Sequence, residues 1–181
     1  MRFDPDAELV ARIARGDRAA ASALMARHLP KMLSLARRML SDRAEAEDVA
    51  QEAFLKVWTH AARWKPGKAK FETWLYRVTL NQCYDRLRRK PALELEAAAH
   101  VADPKPGPQK ALEDTALAAE VERALASLPE RQRAAVVLCH YRDCGNIEAA
   151  EILGVSVEAL ESLLSRGRRT LRTKLAHLKD L

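Results

Sequence analysis

Residues 63–90 carry nine basic side chains, Arg63, Lys65, Lys68, Lys70, Arg77, Arg86, Arg88, Arg89 and Lys90, against two acids, interleaved with Trp64, Phe71, Trp74, Tyr76 and Tyr84. Cations neutralise phosphates and flat rings stack on unpaired bases, so this combination suits single-stranded or locally opened nucleic acid. A solvated basic helix whose aromatics sit in a core has the same composition, and spacing leaves both readings open. Upstream, Asp48, Gln51, Glu52 and Leu55 stand at i, i+3, i+4 and i+7 of a helical pattern. Such a stripe can hold a partner's arginines bidentately around a dry leucine centre, and it can equally be ordinary polar surface. Cys139, His140 and Cys144 are donor types that bind zinc, with Cys83 or another histidine as fourth ligand. Cys139 also continues the apolar run 134–138, which makes a buried thiol the simpler account, and no metal is expected. No Gly-rich phosphate loop, zinc-protease His pair or Ser/His constellation occurs, so neither enzymatic activity nor a cofactor is expected.

The elements that must hold these residues are helical. Ala, Leu, Arg and Glu fill long stretches, and no run alternates with a period of two, which predicts an all-α fold. Asp4 is positioned to cap a first helix with Pro5 at its first turn, and Gly16 to end it. A second helix covers 17–40, bent or broken near Pro30. A third covers 43–63, with Ala46, Val49, Ala50, Ala53, Phe54, Val57 and Trp58 on one apolar face. The Pro66-Gly67 turn leads to a fourth, 71–89, on which Arg77, Asn81, Tyr84 and Arg88 share a stripe, Trp74, Leu75 and Val78 make an inward face, and Asp85 can orient Arg88 or Arg89. Residues 1–90 thus read as one helical domain. Pro91, Pro104, Pro106, Gly107 and Pro108 mark 91–110 as a flexible linker. Helices at 111–127, 129–141, 146–153 and 157–178 make a second, smaller domain over 111–181.

Of 181 residues, 31 are basic and 25 acidic, a formal charge of +6. Residues 1–90 hold 19 basic and 11 acidic side chains, or +8, and 91–181 hold 12 and 14, or −2. The electrostatic footprint therefore lies in the first half. With no apolar run of membrane-spanning length, no leader-type segment at the start and an odd number of cysteines, the expectation is a cytoplasmic chain with reduced thiols and no membrane insertion.

The run from Ala46 to Trp58, AEDVAQEAFLKVW, resembles the polymerase-binding segment of bacterial sigma factors of the extracytoplasmic-function (ECF, group 4) class. FETWLYRVTLNQCYDRLRR, from Phe71 to Arg89, is similar to that family's promoter-melting and −10 recognition helix. ALASLPERQR, from Ala124 to Arg133, is similar to the opening of its −35-binding domain. The resemblance covers nearly the whole chain, with a variable linker where the family has one. It implies a non-catalytic initiation subunit that binds RNA polymerase core and promoter DNA. It also implies that Asp48, Gln51, Glu52 and Leu55 grip the β′ clamp coiled coil, that Lys65, Lys68, Lys70, Arg77, Asn81, Tyr84, Arg88 and Arg89 serve the −10 element, and that a base is selected within 63–71. A controlling anti-sigma factor wedged between the two domains is a further implication.

Asn146 as a cap, the Gly154-Val155-Ser156 turn and the long helix after it have helix-turn-helix spacing. The sequence departs from the family where the recognition helix begins: Glu158, Glu161 and Leu163 stand where Thr, Lys and Arg are usual. Acids there repel phosphates but can accept from cytosine amino groups, which makes them readers. The −35 candidates are Ser156, Glu158, Glu161 and Ser162, with Arg131, Arg133, Arg166, Arg168, Arg169 and Arg172 as anchors. Two rival readings are a stand-alone helix-turn-helix regulator and a sigma mimic that sequesters an anti-sigma factor. The first gives the acidic stripe and basic helix no task, and the second has little use for nine cations.

Overall fold

The computed structural model describes residues 3–65, 67, 69–96 and 109–177. They form α1 (Ala7–Ile13), α2 (Arg18–Leu40), α3 (Arg43–His60) with a tight extra turn Ala61–Arg63, α4 (Phe71–Glu96), α5 (Gln109–Ala126), α6 (Glu130–Val136) continued by a wide turn Val137–Tyr141, α7 (Asn146–Leu153) and α8 (Val157–Lys174). No strand occurs among the described residues.

Around α2 the first three partners assemble by burying their apolar stripes. Leu24, Met32, Leu35 and Met39 of α2 meet Val49, Ala53, Phe54 and Val57 of α3 and Phe71, Leu75 and Leu80 of α4, with Val10 and Ile13 of α1 closing one end. Burying each such side chain contributes about 1.5–3 kcal/mol. Asp17 caps α2, its Oδ1 accepting from the Ala19 and Ala20 amides, and Asp42 caps α3 through the Glu45 amide at 3.0 Å.

Two proline expectations are corrected. The α2 helix continues unbroken through Pro30: the carbonyl of Ala26 that loses its donor lies on the exposed side, where water is available, and buried neighbours on both sides anchor the helix. Likewise α4 continues through Pro91 to Glu96, seven residues past the expected end. One missing backbone bond does not end a helix whose earlier turns are anchored in a core. Pro104, Pro106, Gly107 and Pro108 lie outside the described residues.

Asp4 is not the cap of α1 either. Its Oδ1 accepts from the Asp6 amide at 2.9 Å, and its Oδ2 reaches the Phe71 amide at 2.6 Å, so it satisfies an orphan donor at the start of α4. Next to it Asp6 is buried and bonded to His28 Nε2 at 2.8 Å and to Arg27. His28 Nδ1 lies 3.8 Å from Glu72, which also takes Lys31 Nζ at 2.7 Å. This polar cluster clamps the N-terminal segment and α2 to the first turn of α4.

In the second half, Gly154 takes a left-handed conformation (φ +63°) that ends α7 and turns the chain into α8. Gly167 lets α8 lie against α6: a Cβ there would stand 3.0 Å from Val136 Cγ2. The π-type turn after α6 closes with the Cys144 amide on the Leu138 carbonyl at 3.1 Å. Asn146 begins α7 but does not cap it. Gly145 holds the cap position, and the Asn146 amide instead points to Glu161 Oε1 at 3.5 Å. The two halves pack together, their buried side chains forming a continuous cluster.

Burial pushes the Asp6 carboxyl up, but the His28 and Arg27 interactions outweigh it and leave its pKa below the ordinary 3.8. A depressed carboxyl contributes stability that is complete above 3.8 and is lost as pH falls below it, through the folded-state value. Denaturant unfolding followed from neutral pH to pH ~2 should therefore show a steeper acid loss for the wild type than for Asp6→Asn, which starts less stable at neutral pH. Parallel curves would remove Asp6 from the acid response.

Candidate nucleic-acid and partner interface

The acidic stripe is real surface. Asp48, Gln51, Glu52 and Leu55 are all exposed on the face of α3 turned away from α2, with Leu55 at 65%. Trp58, expected on the apolar face, is 47% exposed beside Leu55. One turn beyond Leu55, it extends the dry part of the stripe, and the i+3 spacing was the signal available for it.

The basic helix lies alongside. Arg86 of α4, counted among the cations of a nucleic-acid surface, turns instead toward α3, with Nη1 2.7 Å from Glu45 Oε2 and 3.9 Å from Asp48 Oδ2, and Nη2 2.6 Å from Glu52 Oε1. Gln82 Nε2 donates to the other Glu52 oxygen at 3.3 Å. Bonding to Glu45 is the main reason the Arg86 guanidinium is held above its ordinary pKa. Neither Arg86, Gln82 nor Glu45 was singled out as a partner of the stripe, because pairing across two helices is invisible in a one-helix pattern. A groove of about 420 Å³ runs between the helices, lined by Glu52, Leu55 and Thr59 on one side and Gln82, Asp85 and Arg89 on the other.

The aromatics divide. Phe71 and Tyr76 are core, Trp64 stacks edge-on to Phe71 at 5.8 Å, and Trp74 sits between Phe71 (5.5 Å) and His60 (6.0 Å). Trp64 and Trp74 also face a cavity of about 370 Å³ whose rim carries Arg63, Lys65 and Arg77. Flat rings and cations of the first half converge here on open volume. Lys70 is half-buried; Lys68 lies outside the described residues.

Of the α4 stripe, Arg77, Asn81 and Arg88 are exposed, and so is Arg89. Arg77 Nε donates to the Glu151 carbonyl of α7 at 2.9 Å, and Arg88 Nη2 to Asp85 Oδ1 at 2.7 Å. Tyr84 departs from the expected ring in solution: it is half-buried against the second half, its hydroxyl enclosed without a partner and pushed up to about 12, chiefly by burial. Three further bonds join the halves: Arg142 Nε to the Tyr76 hydroxyl at 3.0 Å, Arg38 over the Tyr141 ring at 3.9 Å, and Arg133 to the Met39 carbonyl.

That last contact overturns one expectation. Arg133 is 6% exposed, and its guanidinium donates to the Met39, Ala126 and Leu128 carbonyls at the ends of α2 and α5. Its charge is consumed satisfying helix C-termini, so it is not a DNA anchor. Arg131 is exposed, donating to the Leu153 carbonyl at 3.2 Å. On α8, Ser156 caps the helix through the Ala159 amide at 3.2 Å, which explains its place in the motif. Glu158 and Glu161 are exposed; its own backbone N–H and the Ser156 hydroxyl hold the Glu158 carboxyl below the usual range. Arg166 reaches Ser162 Oγ at 2.9 Å, and Arg168, Arg169 and Arg172 line a groove of about 450 Å³ with Asn146 and Glu161.

Cys139 and His140, donors considered for zinc, sit in the wide turn after α6, and Cys144 follows it. No three His, Cys, Asp or Glu groups among the described residues are placed to hold a metal ion. His140 Nε2 already accepts from Arg168 Nε at 3.0 Å, and burial raises both thiols, Cys144 to about 12, where the ligating thiolate is scarce.

The family models for "Sigma-70 region 2" and "Sigma-70, region 4" match residues 24–91 and 118–171. The ECF RNA polymerase sigma factor SigM of Mycobacterium tuberculosis is 36% identical, over 96% of this chain and 86% of its own length. This chain belongs to the ECF sigma factors of the sigma-70 family. The family consists of transcription-initiation factors. SigE of Mycolicibacterium smegmatis is also 36% identical, but the chain spans only 65% of that protein. Among solved structures, CnrH in complex with the cytosolic domain of CnrY superposes with a TM-score of 0.72 at 30% identity, covering 96% of this chain and 99% of that one. The match to region 2 includes α3 and α4, and that to region 4 includes the helix-turn-helix. No described helix is long and apolar enough to cross a membrane.

Because Arg133 leaves buried carbonyls unpaired when removed, Arg133→Ala should lower the unfolding free energy by roughly 2–4 kcal/mol. The salt slope of duplex binding should not move. A loss of one unit of slope with unchanged stability would return this arginine to the DNA surface.

Proposed function

We propose that this sigma factor is a group 4 initiation subunit that docks on RNA polymerase core through Asp48, Gln51, Glu52, Leu55 and Trp58 and opens a promoter −10 element with the adjoining α4 surface. The observation that carries the reading is the juxtaposition on α3 and α4: exposed carboxylates and apolar side chains on one helix, and a cation-rimmed aromatic cavity beside the next. Carboxylates suit arginines of a facing helix, and Leu55 with Trp58 supplies the dry centre. Separating strands without nucleotide hydrolysis requires that a flipped base be bound more favourably than it was stacked, a difference of a few kcal/mol per step. The cavity between Trp64 and Trp74 is the pocket we assign to that base, with Lys65, Lys70, Asn81, Arg88 and Arg89 along the backbone.

Residues 1–96 would then act as the polymerase and −10 unit and 109–181 as the −35 unit, where Arg166, Arg168, Arg169 and Arg172 anchor phosphates and Glu158 and Glu161 read bases. For Arg77 and Tyr84 to meet DNA, α7 and α6 must leave α4. The polar bonds between the halves are few, which suits a chain that opens on polymerase and is held closed by an anti-sigma partner, as CnrH was solved with a CnrY domain. The site of action is the cytoplasm, with the polymerase.

Run-off transcription with core enzyme on a promoter library tests the assignment: transcripts should start at defined sites, and Asp48→Arg should abolish both core capture and initiation. Core capture without promoter-specific starts would favour a sequestering mimic, and promoter binding without core capture a stand-alone regulator. Arg88→Ala or Arg89→Ala should leave core capture intact and lower the slope of log affinity against log salt for −10 single strand by about one unit.

A further inference from the structure

We infer that Arg86 is a positioning residue for polymerase docking, an α4 side chain that sets the carboxylates of α3 before any partner arrives; this rests on the docking reading above. Arg86 is only 21% exposed at its side chain, and each terminal nitrogen takes a different acid. Nη2 holds Glu52 Oε1 and Gln82 Nε2 holds Glu52 Oε2, so both oxygens of that carboxylate are tied to α4. A carboxylate offers about four lone-pair directions, and two remain for a partner. The Glu52 side chain is 48% exposed and that of Asp48 65%, so the remaining acceptors face solvent in a set orientation.

The physical gain is entropy lost in advance. A free glutamate on a helix must give up rotamer freedom when a partner's arginine grips it. Glu52 has largely given it up already. Arg86 also offsets the mutual repulsion of Glu45, Asp48 and Glu52, three carboxylates within two turns of one helix. Its planar fork is what permits simultaneous bonds to two acids, which a lysine's single nitrogen cannot span in the same way.

The inference is tested on the full chain by measuring affinity for RNA polymerase core without DNA, which keeps any phosphate role of Arg86 out of the readout. Arg86→Met should weaken core binding about tenfold, and Arg86→Lys about threefold, with thermal midpoints close to wild type because the ion pairs are partly exposed. In a Glu52→Gln background, where the main positioned group is gone, Arg86→Met should cost less than about threefold. Equal losses in both backgrounds, or no loss in either, overturn the positioning role. Should Arg86→Met prove poorly folded, Arg86→Lys in the two backgrounds gives the same discrimination. If the wild type itself fails to bind core, the docking reading falls and this inference with it; if Asp48→Arg abolishes binding while Arg86→Met and Arg86→Lys leave it unchanged, only the positioning role is lost.

Discussion

The packing of α3 against α4 is the constraint on which the molecule turns. Phe54, Val57, Leu75 and Leu80 draw the two helices together over α2, and that apolar contact brings a row of carboxylates to within a hydrogen bond of a guanidinium. Opposite charges on neighbouring helices interact only when a core holds the backbones in register. The reverse also holds, since Arg86 offsets the repulsion that a run of acids would otherwise impose on α3. The partner surface and the nucleic-acid surface proposed above thus lie on two helices packed over one core, and on that proposal docking through one places the other.

A second consequence concerns the start of α4. The N-terminal segment ties it down: the Asp4 carboxylate takes the Phe71 amide, while Asp6, His28 and Glu72 link the start of α1, α2 and α4. The α4 wall of the cavity, which carries Trp74, is thereby anchored. The flipped-base role proposed for that cavity gains from such anchoring, because the unstacking cost is then met by contacts already in place.

The two halves meet through a different kind of contact. Arginines from both sides reach backbone carbonyls, a phenol and a ring rather than carboxylates. Hydrogen bonds of this type are worth about 0.5–1.5 kcal/mol each and add orientation to the apolar side chains that the two halves bury together. Arg133 is the exception. Buried at the centre, it behaves as part of the fold.

Much of this was legible in the order of residues. Helical periodicity located the described helices to within a few positions, except for the far end of α4, and the acidic stripe and the basic aromatic run announced their chemistry, because the side chains on one face of a helix follow from 3.6-residue spacing alone. What periodicity could not register is which face meets which neighbour. Arg86, an ordinary member of a basic run, became the partner of three acids; Arg133, in a similar run, became a buried helix cap; Tyr84 turned inward and Trp58 outward. Pro30 and Pro91 failed to end their helices because the loss of one backbone bond is local, whereas the burial that outweighs it is collected over the whole helix. Local pattern thus determined the elements and the kinds of chemistry they carry, and only tertiary packing decided which charges were spent inside the fold and which remained for a partner, since a charge's role depends on distances between residues far apart in the chain.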